Sequence, residues 1–386
     1  MQSGAAEPLN LRNLDRAALT SAVARVGVGA DVAGRIFARV HRDGAARLPP
    51  GSVRGLSHAA GAALDAACEW PELEVLDRRR AEDGFLKYLF RLPDGREIEA
   101  VRIPLPDPEA TRALKARRRA GQAAPLEALP TAKYTVCLSS QVGCALACDF
   151  CATGRMGFKR NLEAWEMVEQ VLTVRRESPE RPVTGVVFQG QGEPFQNYDN
   201  VVRAAEILRH PCGGRIRGDR ITISTVGVLP MIERFTDEGL PYRLILSLTS
   251  AFSDRRERLV PLTQRYDVAA LAGAMRRHAA ARGGPVNLAW VLMSGVNSGA
   301  DEARELARLF DGVRVRLSII DVNDPSGRFR RADDAERGRF LSALAENGIG
   351  FVRRYSGGPD IHAACGMLAS RRQGGQVVAA TPAETV

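Results

Sequence analysis

Three cysteines, Cys144, Cys148 and Cys151, fall within eight residues of the string GCALACDFCATGRMGFKRNL, residues 143–162. Clustered thiols in a chain without a disulfide pattern point to metal binding or redox chemistry. A structural zinc asks for four ligands, usually from two paired motifs, and no second Cys-x-x-Cys or histidine pair occurs here. An iron–sulfur cubane held by three thiolates leaves one iron open to a substrate or cofactor. Gly143 and Ala145 give the backbone room to approach such a group. Zinc and plain burial of three small apolar side chains stand as the alternatives. The basic residues that follow, Arg155, Lys159 and Arg160, suit an anionic neighbour.

The remaining cysteines are Cys68, Cys137, Cys212 and Cys365, seven in all. An odd number in a large chain argues against a disulfide scaffold. Cys68 and Cys212 fit no motif and read as structural. Apolar residues make up 45% of the 386 and charged residues 26%, enough for a sizeable core. No stretch approaches the roughly 20 apolar residues of a membrane span, and MQSGAAEPLN is not a secretory signal. The expectation is a cytoplasmic protein with no membrane contact. The net charge of +9 suits a polyanionic partner, though an arginine-rich composition alone gives the same excess.

The elements that must position these residues follow from periodicity. LDRAALTSAVARV, GADVAGRIFARVHR and SVRGLSHAAGAALDAACEW carry helical spacing, and residues 73–104 alternate around a PDG turn. Residues 1–103 therefore read as a small N-terminal α+β accessory domain. Residues 104–130, rich in Pro, Ala and Arg, read as a linker or insertion with a short basic helix at KARRR. From 131 to 370 six strand–helix units follow in series, beginning at YTVCLSS, TGVVFQGQGEP, RITISTVGV, YRLILSLTS, VNLAWVLMSGVN and VRVRLSIIDVND. A last strand is GFVRRYS, and residues 371–386 form a tail. Six βα units with right-handed crossovers make an α/β fold, a partial (βα)6 TIM-like barrel. The cysteine loop, GQGEP, Ser224, SLTS and VND then all lie at the C-terminal ends of strands, where such barrels carry their sites.

With Phe150 before its last cysteine, the Cys-x3-Cys-x-aromatic-Cys pattern resembles the radical S-adenosylmethionine (SAM) superfamily. The longer string SSQVGCALACDFCATGRMGFKRNL is similar to the RlmN/Cfr family of RNA adenine methyltransferases. The likeness continues through GQGEPFQNYDNV, ITISTVGVLP, RERLVPLTQRY and DIHAACGML, and covers residues 90–370.

That resemblance implies a barrel of the radical SAM type and a set of roles. Cys144, Cys148 and Cys151 would hold a 4Fe–4S cluster. Gly192 and Glu193 would meet the amino group of SAM, with Ser224, Ser247, Leu248, Thr249 and Asn323 lining the rest of its pocket. Cys365 would become S-methylated, Cys137 would be its partner thiol in a disulfide, and Glu99 would accept the ring proton. An sp2 adenine carbon is too poor a nucleophile to attack a sulfonium, whereas a thiolate can. Hence two SAM molecules per turnover are implied, one to methylate Cys365 and one to activate that methyl group. Implied partners are ribosomal or transfer RNA and an electron donor such as flavodoxin or ferredoxin, acting on a monomer. The implied reaction is methylation of adenine at carbon 2, with carbon 8, or a peptide or small metabolite, as alternatives. Arg155, Lys159, Arg160 and the Arg117–Arg119 run are candidate phosphate contacts.

Two stretches depart from the family. Relatives usually read Ser-Leu-His where this chain has Ser247-Leu248-Thr249, and near Ile-Pro-Phe-Asn-Pro where it has SIIDVNDPSG, so that Asp321 rivals Asn323. The 104–130 segment is also longer than the usual connection.

Overall fold

The computed structural model describes residues 8–119, 130–324, 326–373 and 376–379. Its first helices are α1 (Arg16–Ala24), α2 (Ala30–His41) and α3 (His58–Ala67). Asp15 and Ser57 cap α1 and α3 through side-chain oxygens that accept the N–H of Ala18 and Ala60, satisfying donors the helix itself leaves unpaired. Three strands follow, β1 (Glu74–Arg80), β2 (Leu86–Arg91) and β3 (Glu97–Pro106), then helix α4 (Pro108–Arg119), which covers the basic KARRR segment.

Next come β4 (Thr131–Leu138), the short β5 (Gln141–Val142), a one-turn helix α5 (Ala152–Arg155), β6 (Arg160–Asn161) and the long α6 (Ala164–Arg176). The alternation then runs β7 (Val183–Phe188), α7 (Tyr198–Arg209), β8 (Ile221–Thr225), α8 (Leu229–Asp237), β9 (Arg243–Ser247), α9 (Ser253–Leu259) and α10 (Val268–Arg282). It closes with β10 (Val286–Leu292), α11 (Ala300–Leu309), β11 (Val315–Asp321), α12 (Asp334–Glu346) and β12 (Gly350–Arg353). The tail carries a hairpin, β13 (Ser370–Gln373) with β14 (Gln376–Ala379).

One ten-stranded sheet joins these parts in the order β1-β2-β3-β4-β7-β8-β9-β10-β11-β12. From β4 onward every pairing is parallel, whereas β1 to β4 are antiparallel. The parallel strands are apolar runs rather than alternating ones, as a sheet covered on both faces requires; every residue of β8 is buried. The six serial units of the sequence are thus present, with β12 as a seventh parallel strand. The ladder does not close, so β1 and β12 are its edges.

The hairpin expected in the N-terminal module pairs directly with the barrel. Val101 lies opposite Cys137 and Arg102 opposite Val136, so hydrogen bonding crosses residue 103 without a break. Division into units of 1–103, 104–130, 131–370 and 371–386 is accordingly a proposal about folding units, not a gap in the sheet. The turn before α1 also docks on α6: Arg12 lies 3.5 Å from Glu169, and Asn13 accepts the N–H of Trp165.

Candidate active site

The cysteine loop leaves β5, passes through Cys144, Cys148 and Cys151 and returns along β6, which pairs antiparallel with β5. Gly143 sits at φ +71°, and a Cβ there would lie 1.8 Å from the Gly157 carbonyl oxygen. Its freedom therefore closes the loop on itself, since Cys144 N–H donates to that same oxygen at 3.2 Å. Asp149 N–H reaches Leu259 O at 3.0 Å, which fixes the loop to the end of α9. The three thiols share an apolar cluster with Leu146, Phe150, Leu259, Val260 and Met293. Burial pushes the Cys144 thiol up to about 12 and Cys148 well above its ordinary value, and the neighbouring cysteines add to both shifts.

Cys365 is brought to this loop by the segment after β12. Gly366 O accepts the N–H of Ala152 at 2.8 Å, and Thr153 Oγ1 donates to Leu368 O at 2.6 Å. The Cys365 N–H donates to Ser356 Oγ at 2.8 Å. The outer side of the segment is held by the β1–β2 turn. Asp83 Oδ2 accepts from Tyr355 Oη at 2.9 Å and from Gly358 N–H at 2.7 Å.

Cys137 and Glu99 face the same way. In an antiparallel ladder, opposed residues and those two positions along share a face. Lys87 opposes Val101, Leu89 opposes Glu99, and Val101 opposes Cys137. Hence Lys87, Glu99 and Cys137 occupy one face of the sheet. Cys137 packs with Phe85, Val101, Val187, Ala363 and Leu368, so the Cys365 segment lies over it. Burial drives the Cys137 thiol upward, and Cys365 close by reinforces the shift. Glu99 is fully buried, with Lys87 Nζ 2.9 Å from its Oε1.

The strand ends supply the rest of the pocket. Gly192 has φ +99°, and a Cβ would come within 2.6 Å of the Gln141 side chain. Gln141 Oε1 in turn accepts the N–H of Glu193 at 2.8 Å. The Glu193 carboxylate accepts from Phe195 N–H at 2.9 Å and Val226 N–H at 3.0 Å. Burial raises its pKa, and those backbone donors, with the Thr225 side chain, oppose the rise. Ser224 and Leu248 are buried, and Ser247 is half-buried. Thr249 is fully buried at φ +65°, costly for a β-branched residue.

Several of the expected contact residues also bond within the protein. Asn323 is tied into the protein: Arg331 donates to its Oδ1, and its Nδ2 reaches Asp321 O at 3.3 Å and Ser356 Oγ at 3.4 Å. The rival Asp321 is 2.7 Å from Arg353. Arg160, read as a phosphate contact, is instead held by Asp94 at 2.5 Å and by both oxygens of Glu166 at 2.8 Å. That acidic pair is the anionic neighbour its charge needed. Arg155 donates to Asp149 O, whereas Lys159 is exposed. Of the 117–119 run, Arg117 is exposed on α4, and the side chains of residues 118 and 119 lie outside the described residues.

Three residues of the site were not singled out by sequence reasoning. Arg256 is fully buried and donates to Leu248 O, Ser247 O, Val226 O and Thr263 Oγ1, joining the ends of β8 and β9. Burial lowers its pKa to about 10, while Cys148 and Glu193 nearby favour its charge. Its motif gives no sign of this beyond one arginine among several. Asp83 resembles any turn carboxylate. Lys87 did leave a signal, a lone cation inside the apolar run LKYLF.

This loop at the mouth of a partial parallel barrel is the architecture of radical SAM enzymes, and the profile of the radical SAM superfamily matches residues 138–310. A "Probable RNA methyltransferase" of Myxococcus xanthus is 42% identical over 96% of this chain and 97% of its own length. A "Probable dual-specificity RNA methyltransferase RlmN" of Heliobacterium modesticaldum is 42% identical over 77% of this chain and 73% of its own. The crystal structure of a radical SAM methyltransferase from Sphaerobacter thermophilus superposes with a TM-score of 0.80 at 36% identity, covering 94% of this chain and 99% of that one. The chain belongs to the RlmN-like radical SAM RNA methyltransferases.

Membership implies a 4Fe–4S cluster and SAM, and the donor set fits both. Among the described residues no three Cys, His, Asp or Glu side chains already converge on a single ion centre; a cubane instead takes one thiolate at each of three corners. Beyond the ends of β9 and β7, Thr249 Oγ1 and both amide atoms of Gln191 are buried without hydrogen-bond partners among the described residues. Orphaned polar atoms of this kind are rare unless a ligand completes them. Among the described residues no helix is long and apolar enough to cross a membrane.

Proposed function

We propose that the protein methylates carbon 2 of an adenine in ribosomal or transfer RNA, using Cys365 as carrier of the added carbon. The observation that carries this reading is the direct bond between the Cys365 segment and the cysteine loop, with Cys137 and Glu99 on the adjoining sheet face. The cluster and SAM, when bound, supply the methyl group and the one-electron chemistry that activates it.

The chain's own residues do the rest. The Cys365 thiol gives up its proton and forms an S–C bond to the methyl carbon, whose bond to the sulfonium sulfur breaks with its pair staying on that departing sulfur. After that carbon has given up one hydrogen atom to the one-electron chemistry and bonded to the ring, Glu99 removes the ring proton, the C–H electron pair stays in the substrate, and the one surplus electron would return to the cluster. Cys137 then attacks the Cys365 sulfur. The S–C bond breaks with its pair going to carbon, which takes up a proton, and a Cys137–Cys365 disulfide remains for an external thiol to reduce. Apolar walls from Phe85, Val101 and Leu368 keep Cys137 protonated and unreactive until that stage.

A base must leave its stack to enter this mouth, so the target would be presented from a loop or an opened helix. The electron would come from a flavodoxin- or ferredoxin-type donor to a cytoplasmic monomer. The test is Cys137→Ala incubated anaerobically with SAM, reductant and bacterial RNA. An unresolved covalent protein–RNA species is expected, and nuclease digestion of it names the nucleotide and the carbon. Methylated RNA formed at the wild-type rate by this variant overturns the reading.

A further inference from the structure

Lys87 and Glu99 form a nearly water-free ion pair, of which the proposed chemistry uses only Glu99. Lys87 is 3% exposed and Glu99 0%, on adjacent strands β2 and β3. Burying both charges is tolerable only because each compensates the other. The same ammonium also donates to the His362 carbonyl oxygen at 3.3 Å. His362 sits at φ +55°, three residues before Cys365, in a turn closed by its N–H to Pro359 O. One cation therefore touches both the carboxylate and the carbon-carrying segment.

We infer that Lys87 is a positioning residue of the reaction, holding Glu99 as a carboxylate and fixing it relative to the Cys365 segment. The inference rests on the reading of Glu99 as proton acceptor. A carboxylate can take the ring proton, whereas a carboxylic acid cannot. Burial favours the neutral form of a carboxyl, and an opposite charge within about 4 Å favours the ionised one. The other charged or titratable groups on this face are Arg79 of β1, directly opposite Lys87 and 3.0 Å from Asp77, then Asp77 itself, Glu97 and Arg91 further along the strands, His362, the Cys137 and Cys365 thiols, and Arg354 beside Cys137. After transfer the proton rests on Glu99, and a neutral acid is left beside the ammonium.

The test uses the full-length protein as Lys87→Met, with Lys87→Gln as a second, polar but uncharged variant, and Lys87→Arg as the charge-keeping rescue. Infrared spectra of the RNA-free protein at neutral pH read the carboxyl group directly. A carboxylic-acid carbonyl band is expected in Lys87→Met and Lys87→Gln, absent from wild type and Lys87→Arg, and abolished by adding Glu99→Gln. In turnover, the acidic limb of the pH profile should move to higher pH by about a unit or more in the neutral variants, as expected when a carboxylate loses a close cation, and return in Lys87→Arg. A folded neutral variant without the band overturns the inference. A band with an unmoved acidic limb supports the hold of Lys87 on Glu99 and overturns Glu99 as the proton acceptor.

Discussion

Ala152 donates its backbone N–H to Gly366 at 2.8 Å. The first of these residues follows the last clustered cysteine and the second follows Cys365, so the cysteine loop and the Cys365 segment are joined through main chain. Gly366 has φ +84°, and a Cβ would lie 3.3 Å from Phe150 O. Left-handed backbone costs an L-residue about 1–2 kcal/mol, and valine adds a branch. Gly366→Val should lower the melting temperature by a few degrees and reduce methylation of RNA by tenfold or more, because Cys365 shifts against the cluster loop. Paired melting curves and turnover rates check this. An unchanged rate in a variant that melts lower would show that the joint is not needed.

The three loop cysteines should act as a unit. Replacing Cys144, Cys148 or Cys151 singly by alanine should lose the bound iron and sulfide and all reductive SAM cleavage. Cys212→Ser should lose neither, because Cys212 is exposed. Iron and sulfide analysis after anaerobic reconstitution separates the two classes.

Thr249 carries a hydroxyl with no partner among the described residues. An orphan of this sort costs about 1–3 kcal/mol in the folded state. Thr249→Val keeps the shape and removes the orphan, so the ligand-free protein should become more stable while SAM binding weakens several-fold. Calorimetry on both proteins reads the opposing changes. Equal SAM affinity would remove Thr249 from the pocket.

Much of this architecture was legible from sequence because it repeats one physical pattern. Six apolar runs such as ITIST and LAWVL, each followed by a helix, require a parallel sheet, and the sheet dictates where the motifs must gather. The cysteine spacing was legible because few structures need three thiols in one loop. Arg256, Asp83 and Ser356 were not. Each acts through a bond to distant backbone, for instance Asp83 to Gly358, and sequence distance hides such partners. Arg160, expected to meet phosphate, pairs with Asp94, 66 residues away, and with Glu166. Glu99 was singled out only through the family, since a carboxylate in an alternating strand is usually exposed; here it is fully buried.

Arg256 makes a stability prediction of its own. Its guanidinium satisfies three carbonyls at the ends of β8 and β9 from a fully buried position. Hydrogen bonds to a charged group contribute about 1.5–3 kcal/mol each, so Arg256→Met should destabilise the ligand-free protein by more than about 3 kcal/mol. Urea unfolding measures it, and a loss under about 1 kcal/mol would mean that water replaces the bonds at little cost.

Acid should unfold the ligand-free protein through its buried imidazoles. Burial lowers His41 to about 3 and His278 to about 4. Unfolded histidine titrates near the ordinary value of 6.5. Between these limits the unfolded chain binds protons that the native one refuses, so stability falls as pH drops from 6.5 and stops falling below the native values. His41→Asn should flatten that slope in a pH series of melting temperatures. An unaltered slope would assign acid sensitivity to other groups.

The central claim is that Cys365 carries the transferred carbon. Reconstituted protein is incubated with SAM bearing a deuterated methyl group, without RNA, and its peptides are analysed by mass spectrometry. A single labelled methyl is expected on the peptide containing Cys365, with Cys68, Cys137 and Cys212 unlabelled. If Cys365 stays bare, while a Cys365→Ser variant still delivers labelled methyl to RNA, the account is contradicted.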